Sequence, residues 1–347
     1  MSYLRIALMP GDGIGPEVTD AAVQVLQDLE AKSDDLVLRF ETLAAGAGEY
    51  LNSGNPLPPG TLERARDCDA ILLGAMGLPD VRWPNGTEMA PQIDIREHLD
   101  LYQGVRPVRL YHDALTPLRG KRAGEIDLVI YRESTEGLFW GRRASHDPQD
   151  DYVENVLRIS RRSSERIVEA AFAAARRRRG KVALVDKANV LPAMAFFRQV
   201  FDQIAASHPD IATERVHVDA AALFLVQQPE RFDVIVTENM FGVILSDLAA
   251  GIVGGMGMAP SADIGTKHAV FQPAHGSAPD IARRDTANPL AAILSAALML
   301  DWLGREAEGN TIRGAVAATL QDPACRTADL GGRMSCAQLR DEVISRL

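Results

Sequence analysis

Three cysteines, Cys68, Cys325 and Cys336, are too few and too widely spaced for a disulfide framework or a CxxC zinc site. Seven histidines are scattered along the 347 residues, with no pair at metal-ligand spacing. An excess of positive charge is also missing. The formal net charge is −10, which removes any long-range attraction for nucleic acid or an anionic membrane. It offers none to a small anionic substrate either, so local arginines must capture carboxylates. No apolar run approaches the length of a membrane span. Leu290 to Leu303 comes closest, and its alanine content suits a buried helix. The opening MSYLRIALMPGDG lacks the n-region and long apolar core of a signal peptide, so the cytoplasm is the expected location. Repeats and low-complexity linkers are absent too, leaving composition silent on domain boundaries.

What is present is an alternation of strands and helices. Leu4 to Met9 reads as a strand, Pro10 to Gly15 as a turn, and Pro16 as a first helical position where its missing N–H costs nothing. Val18, Ala22, Val25, Leu26 and Leu29 then recur at helical spacing. Further strands are expected at Val37–Glu41, Ala70–Leu73, Asp127–Tyr131, Lys181–Val185, Val216–Val218 and Val234–Thr237. Helices are expected at Glu165–Arg178 and Met194–Ala206. This order argues α/β with a largely parallel sheet. Arg176 to Arg179, followed by Gly180, reads as the solvated end of a helix.

Five motifs carry possible chemistry, each with a plainer reading beside it. Gly11, Gly13 and Gly15 give GxGxG without a Walker lysine, more often a tight turn than a cofactor site. Such a turn can still approach an anion or a nicotinamide. Arg96, Arg106 and Arg132 would read a multiply carboxylated substrate if they converged; alone, they read as three unrelated surface charges. Lys187 follows a strand and reads as a surface residue or as a base with lowered pKa. Asp219 is a helix N-cap or, together with Asp247, a ligand for a hard divalent cation. In His275 to Ile281, Asp280 near a small-residue loop can accept ribose hydroxyls and repel a 2′-phosphate, whereas His275 alone reads as structural.

Taken together, PGDGIGPEV, the three arginines, LVDKANVL, TENMFG–ILSD and HGSAPDIA–ANP resemble the metal-dependent β-decarboxylating dehydrogenases of the isocitrate and isopropylmalate family. The resemblance covers essentially the whole chain. It implies a two-domain α/β fold with a large mixed, mostly parallel sheet, not a Rossmann fold. One domain would comprise 1–101 plus 254–347 and hold the NAD adenosine site. The other, 102–253, would pair with a second copy in a homodimer with shared active sites. Arg96, Arg106 and Arg132 would grip the substrate carboxylates. Lys187 would manage the hydroxyl proton, and Asp219 and Asp247 would bind Mg2+ or Mn2+, with Lys187 and Asp219 reaching in from the neighbouring subunit. Ile14, His275, Gly276, Ser277, Ala278, Asp280, Ile281 and Asn288 would contact the cofactor, with Asp280 and Ile281 marking NAD. The substrate would be a malate-like 2-hydroxy diacid, isopropylmalate-type ahead of isocitrate or tartrate.

Two positions depart from the family pattern. Phe139 stands where an enol-protonating tyrosine belongs, and Val243 where a metal-binding aspartate belongs. Glu238, five residues before Val243, is a candidate substitute ligand. These departures keep two other readings open: a catalytically weakened regulatory or ligand-binding homologue, and oxidation without decarboxylation.

Overall fold

The computed structural model describes residues 3–142, 149 and 151–347. In chain order, the first third contains β1 (Leu4–Gly11), α1 (Gly15–Lys32), β2 (Leu38–Thr42), α2 (Ala47–Ser53), α3 (Pro59–Arg66), β3 (Ala70–Ala75) and α4 (Pro91–His98). The middle contains β4 (Gln103–Arg109), β5 (Asp127–Glu133), α5 (Arg161–Arg176), β6 (Lys181–Asp186), α6 (Pro192–Ala205), β7 (Ala212–His217), α7 (Val218–Gln227), β8 (Val234–Thr237) and α8 (Asn239–Gly251). The last part adds β9 (Pro260–Ile264), β10 (Ala269–Pro273), α9 (Leu290–Trp302), α10 (Glu306–Thr319) and α11 (Cys336–Ile344).

The chain divides into two compact units. Unit 1 comprises Met1–Leu99, Gly254–Ala262 and Thr266–Leu347; unit 2 comprises Asp100–Val253 and Asp263–Gly265. In unit 1, β1 lies between β2 and β3, and β3 pairs with β10, all parallel. In unit 2, β4 and β5 are antiparallel, while β5–β8, β8–β6 and β6–β7 are parallel. The β structure is thus mixed and mostly parallel, the α/β architecture the sequence implied.

Local chemistry explains the elements. Glu17 lies in the first turn of α1 beside Pro16, and Val18, Ala22, Val25, Leu26 and Leu29 are all buried along one face. Helix α9 is buried nearly all round, as its alanine-rich run suggested. Among the described residues, no helix is long and apolar enough to cross a membrane. All three cysteines are free and buried, and burial pushes the Cys336 thiol up to about 12, where it stays protonated and inert.

Three local expectations need correction. Val218 is not strand: it opens α7, because an alanine-rich run with Asp219 in its first turn favours a helix there. For the same reason Asp219 is not the N-cap; His217 holds that place, without a side-chain bond. The helix ending at Arg176 and the left-handed Gly180 (φ 73°) fit the expected helix end, yet not all its arginines are merely solvated. Arg178 Nε donates to Asp233 Oδ1 at 2.8 Å and its Nη2 to Asp127 Oδ1 at 2.6 Å, tying the helix end to the bottoms of β5 and β8.

Candidate active site

Unit 1 contributes a site built mainly from backbone. At the β1–α1 turn, Gly13 (φ 58°) lies so close to the loop after β10 that an added Cβ would sit 1.9 Å from the Ser277 carbonyl oxygen. Ile14 N–H donates to the same oxygen at 2.7 Å. Asp12 fixes the turn from the other side: its buried carboxylate accepts from Ala47, Gly48 and Gly77 N–H at 2.7–2.8 Å. Ala278 adopts a left-handed backbone (φ 36°), which bends the loop.

These features frame a cavity of about 320 Å³ lined by Ile14, His275, Ile281 and Asn288, together with Gly257 and Asp329. Asn288 Nδ2 donates to Asp329 Oδ2 at 3.0 Å, and a side chain at Gly257 would collide with both groups. His275 Nδ1 lies 2.9 Å from the Gly276 carbonyl oxygen. Its Nε2 is buried without a hydrogen-bond partner, and burial pushes its pKa down, which favours the neutral ring. An orphaned buried nitrogen in a largely apolar cavity is what a heterocyclic ligand would satisfy. Four of the eight residues expected at the cofactor therefore line one cavity. Ser277 and Ala278 shape its loop, and Gly276 and Asp280 are exposed on that loop.

Unit 2 contributes a site built from side chains. Arg106 and Arg132 are each 6% exposed, and Arg96, on α4 of unit 1, is 5% exposed. The plain reading of three surface charges therefore fails: burying three guanidinium groups demands partners. In the antiparallel register Gly104 opposes Arg132 and Arg106 opposes Ile130, so both arginines stand on the same face of the β4–β5 ladder. Arg106 Nη2 pairs with Asp263 Oδ1 at 3.1 Å. Arg132 donates from Nε at 3.0 Å and from Nη2 to Asn239 Oδ1, and Asn239 Nδ2 donates to the Glu136 carbonyl at 2.7 Å. The stem of Arg132 lies on Gly242 of α8, where a Cβ would come within 2.5 Å of Arg132 Cγ. Arg132 sits inside β5, and the strand continues through it to Glu133.

Asp247 lies on α8 in the field of both arginines. Partial burial pushes its carboxyl up, while Ser246, Arg106 and Arg132 pull the other way. Ser246 Oγ is 3.3 Å from Asp247 Oδ1. Lys187 and Asp219 form a separate pair, Nζ to Oδ1 at 2.7 Å, and this bond holds the Asp219 carboxyl below the usual carboxylate range. Among the described residues of one chain, no three His, Cys, Asp or Glu side chains cluster to hold a metal.

Glu238 is not free for a metal. Its carboxylate caps α8, accepting from Phe241 N–H at 2.6 Å and Met240 N–H at 3.0 Å. Burial raises its pKa, with those bonds and Arg132 opposing. Phe139 packs under the Arg132 guanidinium, 5.5 Å from its ring centroid, so the apolar replacement borders the arginine itself. Sequence reasoning missed Asn239, Gly242 and Asp12. The two glycine and amide positions lie inside the quoted TENMFG block, but only the fold reveals that they serve Arg132.

The family model described as isocitrate/isopropylmalate dehydrogenase matches residues 5–343. A 3-isopropylmalate dehydrogenase of Heyndrickxia coagulans is 42% identical, covering 99% of this chain and 96% of that protein. A 3-isopropylmalate/3-methylmalate dehydrogenase of Methanocaldococcus jannaschii is 40% identical, covering 99% and 98%. Among solved structures, an isocitrate dehydrogenase from Methylococcus capsulatus superposes with a TM-score of 0.90 at 37% identity, covering 99% of each chain. The chain belongs to the isocitrate/isopropylmalate dehydrogenase family.

Proposed function

We propose that this protein oxidises a malate-like 2-hydroxy diacid with NAD, that an isopropylmalate-type acid is its substrate, and that decarboxylation follows. Its family makes it an oxidoreductase. The observation that carries the substrate class is the buried pair Arg106 and Arg132 on one face of β4–β5, with Asp247 beside them. Two fixed guanidinium groups suit two carboxylates, each held through charge-assisted bonds. Lys187 would take the hydroxyl proton at Nζ as the free amine, having first released its own ammonium proton to solvent, and Asp219, already bonded there, would orient it.

The unit 1 cavity fits the adenosine end of NAD. His275 Nε2 would gain a partner there, and Ile14, Ile281 and Asn288 would line the base and ribose. Asp280 on the loop disfavours a 2′-phosphate. When bound, NAD supplies the hydride acceptor. For Mg2+ or Mn2+ the donor set of one chain falls short: Asp247 is present, Val243 is apolar, Glu238 is committed to its cap, and Asp219 is bonded to Lys187. A second copy bringing Lys187 and Asp219 would add an oxygen. The homodimer itself is supported by Leu223 and Val226 of α7, Ile244 of α8 and Val190, all large apolar side chains left exposed on unit 2.

The test is NADH formation across isopropylmalate, malate, tartrate and isocitrate, with carbon dioxide measured in parallel. Turnover on one diacid with release of carbon dioxide supports the reading. Phe139 under Arg132 and the apolar Val243 favour a second reading, a weakened homologue that binds ligand without turnover. Diacid binding by calorimetry with no NADH formed would establish that alternative.

A further inference from the structure

Successive residues of a strand point to opposite faces, so Tyr131 faces away from Arg132 on β5. Its antiparallel partners place Val105 and Gln103 on that reverse face. Helix α5 packs there. Its residues Glu165, Glu169, Ala173 and Arg177 fall at successive intervals of four, forming one stripe along the helix. Between this stripe and the two strands lies an open cavity of about 600 Å³, within the range of small-molecule sites.

The polar groups around it divide into committed and uncommitted. Arg166 bonds Asp100 at 2.6 Å and covers the Tyr102 ring at 4.1 Å. Glu169 lies 3.2 Å from His208 Nε2, and Glu165 lies 3.6 Å from Arg161. The side chains of Tyr131, Gln103 and Arg177 make no hydrogen bond or ion pair with any described residue. Tyr131 is 8% exposed and lines the cavity. A helix end accounts for a cation at Arg177. It does not account for a tyrosine, itself 8% exposed, whose hydroxyl makes no bond to a described side chain beside that cation.

We propose that this cavity is a second small-molecule site, taking a monocarboxylate with a ring-sized apolar body. The carboxylate would accept from the Arg177 guanidinium and the Tyr131 hydroxyl, and the body would lie on Ala170, Ala173 and Tyr102. One uncommitted cation matches one negative charge. Glu165 and Glu169, on the same stripe, disfavour a second charge, so the diacids suited to the α8 face are excluded. The inference stands apart from the proposed dehydrogenase reading, because it uses none of those residues.

Calorimetric titration of the full-length protein with hydrocinnamate tests it, with phenylsuccinate as the dianion and hydrocinnamyl alcohol as the neutral control. The expected result is saturable binding of hydrocinnamate, weakened at least about tenfold by Arg177→Ala and several-fold by Tyr131→Phe. Both controls should bind more weakly, and isopropylmalate should not displace the ligand. Arg177 is on an exposed helix end, so its variant tests the site without disturbing the core. No saturable heat, unchanged affinity in Arg177→Ala, tighter binding of phenylsuccinate, or displacement by isopropylmalate would each overturn the assignment.

Discussion

Arg132 and Tyr131 are neighbours on β5, yet they meet different surroundings. On the α8 face, Arg132 is held from several sides: Asn239 accepts two of its N–H groups, Gly242 receives its stem, and Phe139 covers the guanidinium. On the α5 face, Tyr131 is as deeply buried, but its hydroxyl is left open to a cavity. A side chain held firmly along one edge is already placed for its task, which suits a group that must bind a substrate in one geometry. An unpartnered one retains its bonding capacity for something that arrives later. The two faces of one strand thus carry a finished arrangement and an unfinished one.

The comparison can be broken most forcefully at Lys187. If the proposed reading of the α8 side is right, Lys187→Ala should lower kcat by about 10²–10⁴-fold, the range of a positioned proton acceptor, with little change in thermal stability. A variant that keeps full turnover would remove Lys187 from the chemistry. Next comes Gly242→Ala, which forces Arg132 off α8. We expect a stability loss of about 1–3 kcal/mol by denaturant titration, because the displaced atoms are the stem rather than the flexible tip. Unchanged stability would mean that the close approach has slack.

Asn239→Ala should have a smaller effect, leaving the stem in place and removing the amide. Losing a bond to a charged group costs about 1.5–3 kcal/mol, so kcat/KM on the diacid should fall about ten- to a hundredfold. The loss should be in KM as well as kcat if Arg132 binds substrate in the ground state. Smaller still is the effect of acid on the cap of α8. Burial raises the Glu238 carboxyl above its ordinary value of 4.5. The protonated form is therefore favoured in the folded chain, and the stability it brings is complete below pH 4.5. That contribution is lost as pH rises through the raised value. Melting curves across this window should show Glu238→Gln with a shallower decline than the parent. An identical slope would contradict the direction.

Much of this was legible from the sequence, for identifiable reasons. Strands β1, β3, β6 and β8 are short apolar runs bounded by turn residues, and their positions matched closely. Strand β4 was not foreseen: QGVRPVR carries two arginines and a proline, so nothing in its pattern resembles a buried strand. Strands β9 and β10 are five residues long with proline at one end, too brief for periodicity to register. For the sites, the loop from His275 to Ile281 stood out as a candidate because its small residues and acid have a local meaning. The supports of Arg132 were not, since Asn239 and Gly242 lie over a hundred residues away and acquire their role only through the β5–α8 packing. Glu238 misled for the opposite reason. A carboxylate near a presumed metal invites a ligand reading, while its position before α8 made it a cap.

The central claim is that Arg132, as placed by α8, binds a carboxylate of a 2-hydroxy diacid for oxidation by NAD. The most direct measurement is steady-state NADH formation from isopropylmalate, comparing the parent protein with Arg132→Lys. Lysine keeps the charge but loses the planar fork, and the account predicts turnover by the parent and a fall in kcat/KM of about tenfold or more in the variant. Equal rates for both proteins, or no turnover by a folded, NAD-binding parent on any of the diacids, would contradict it.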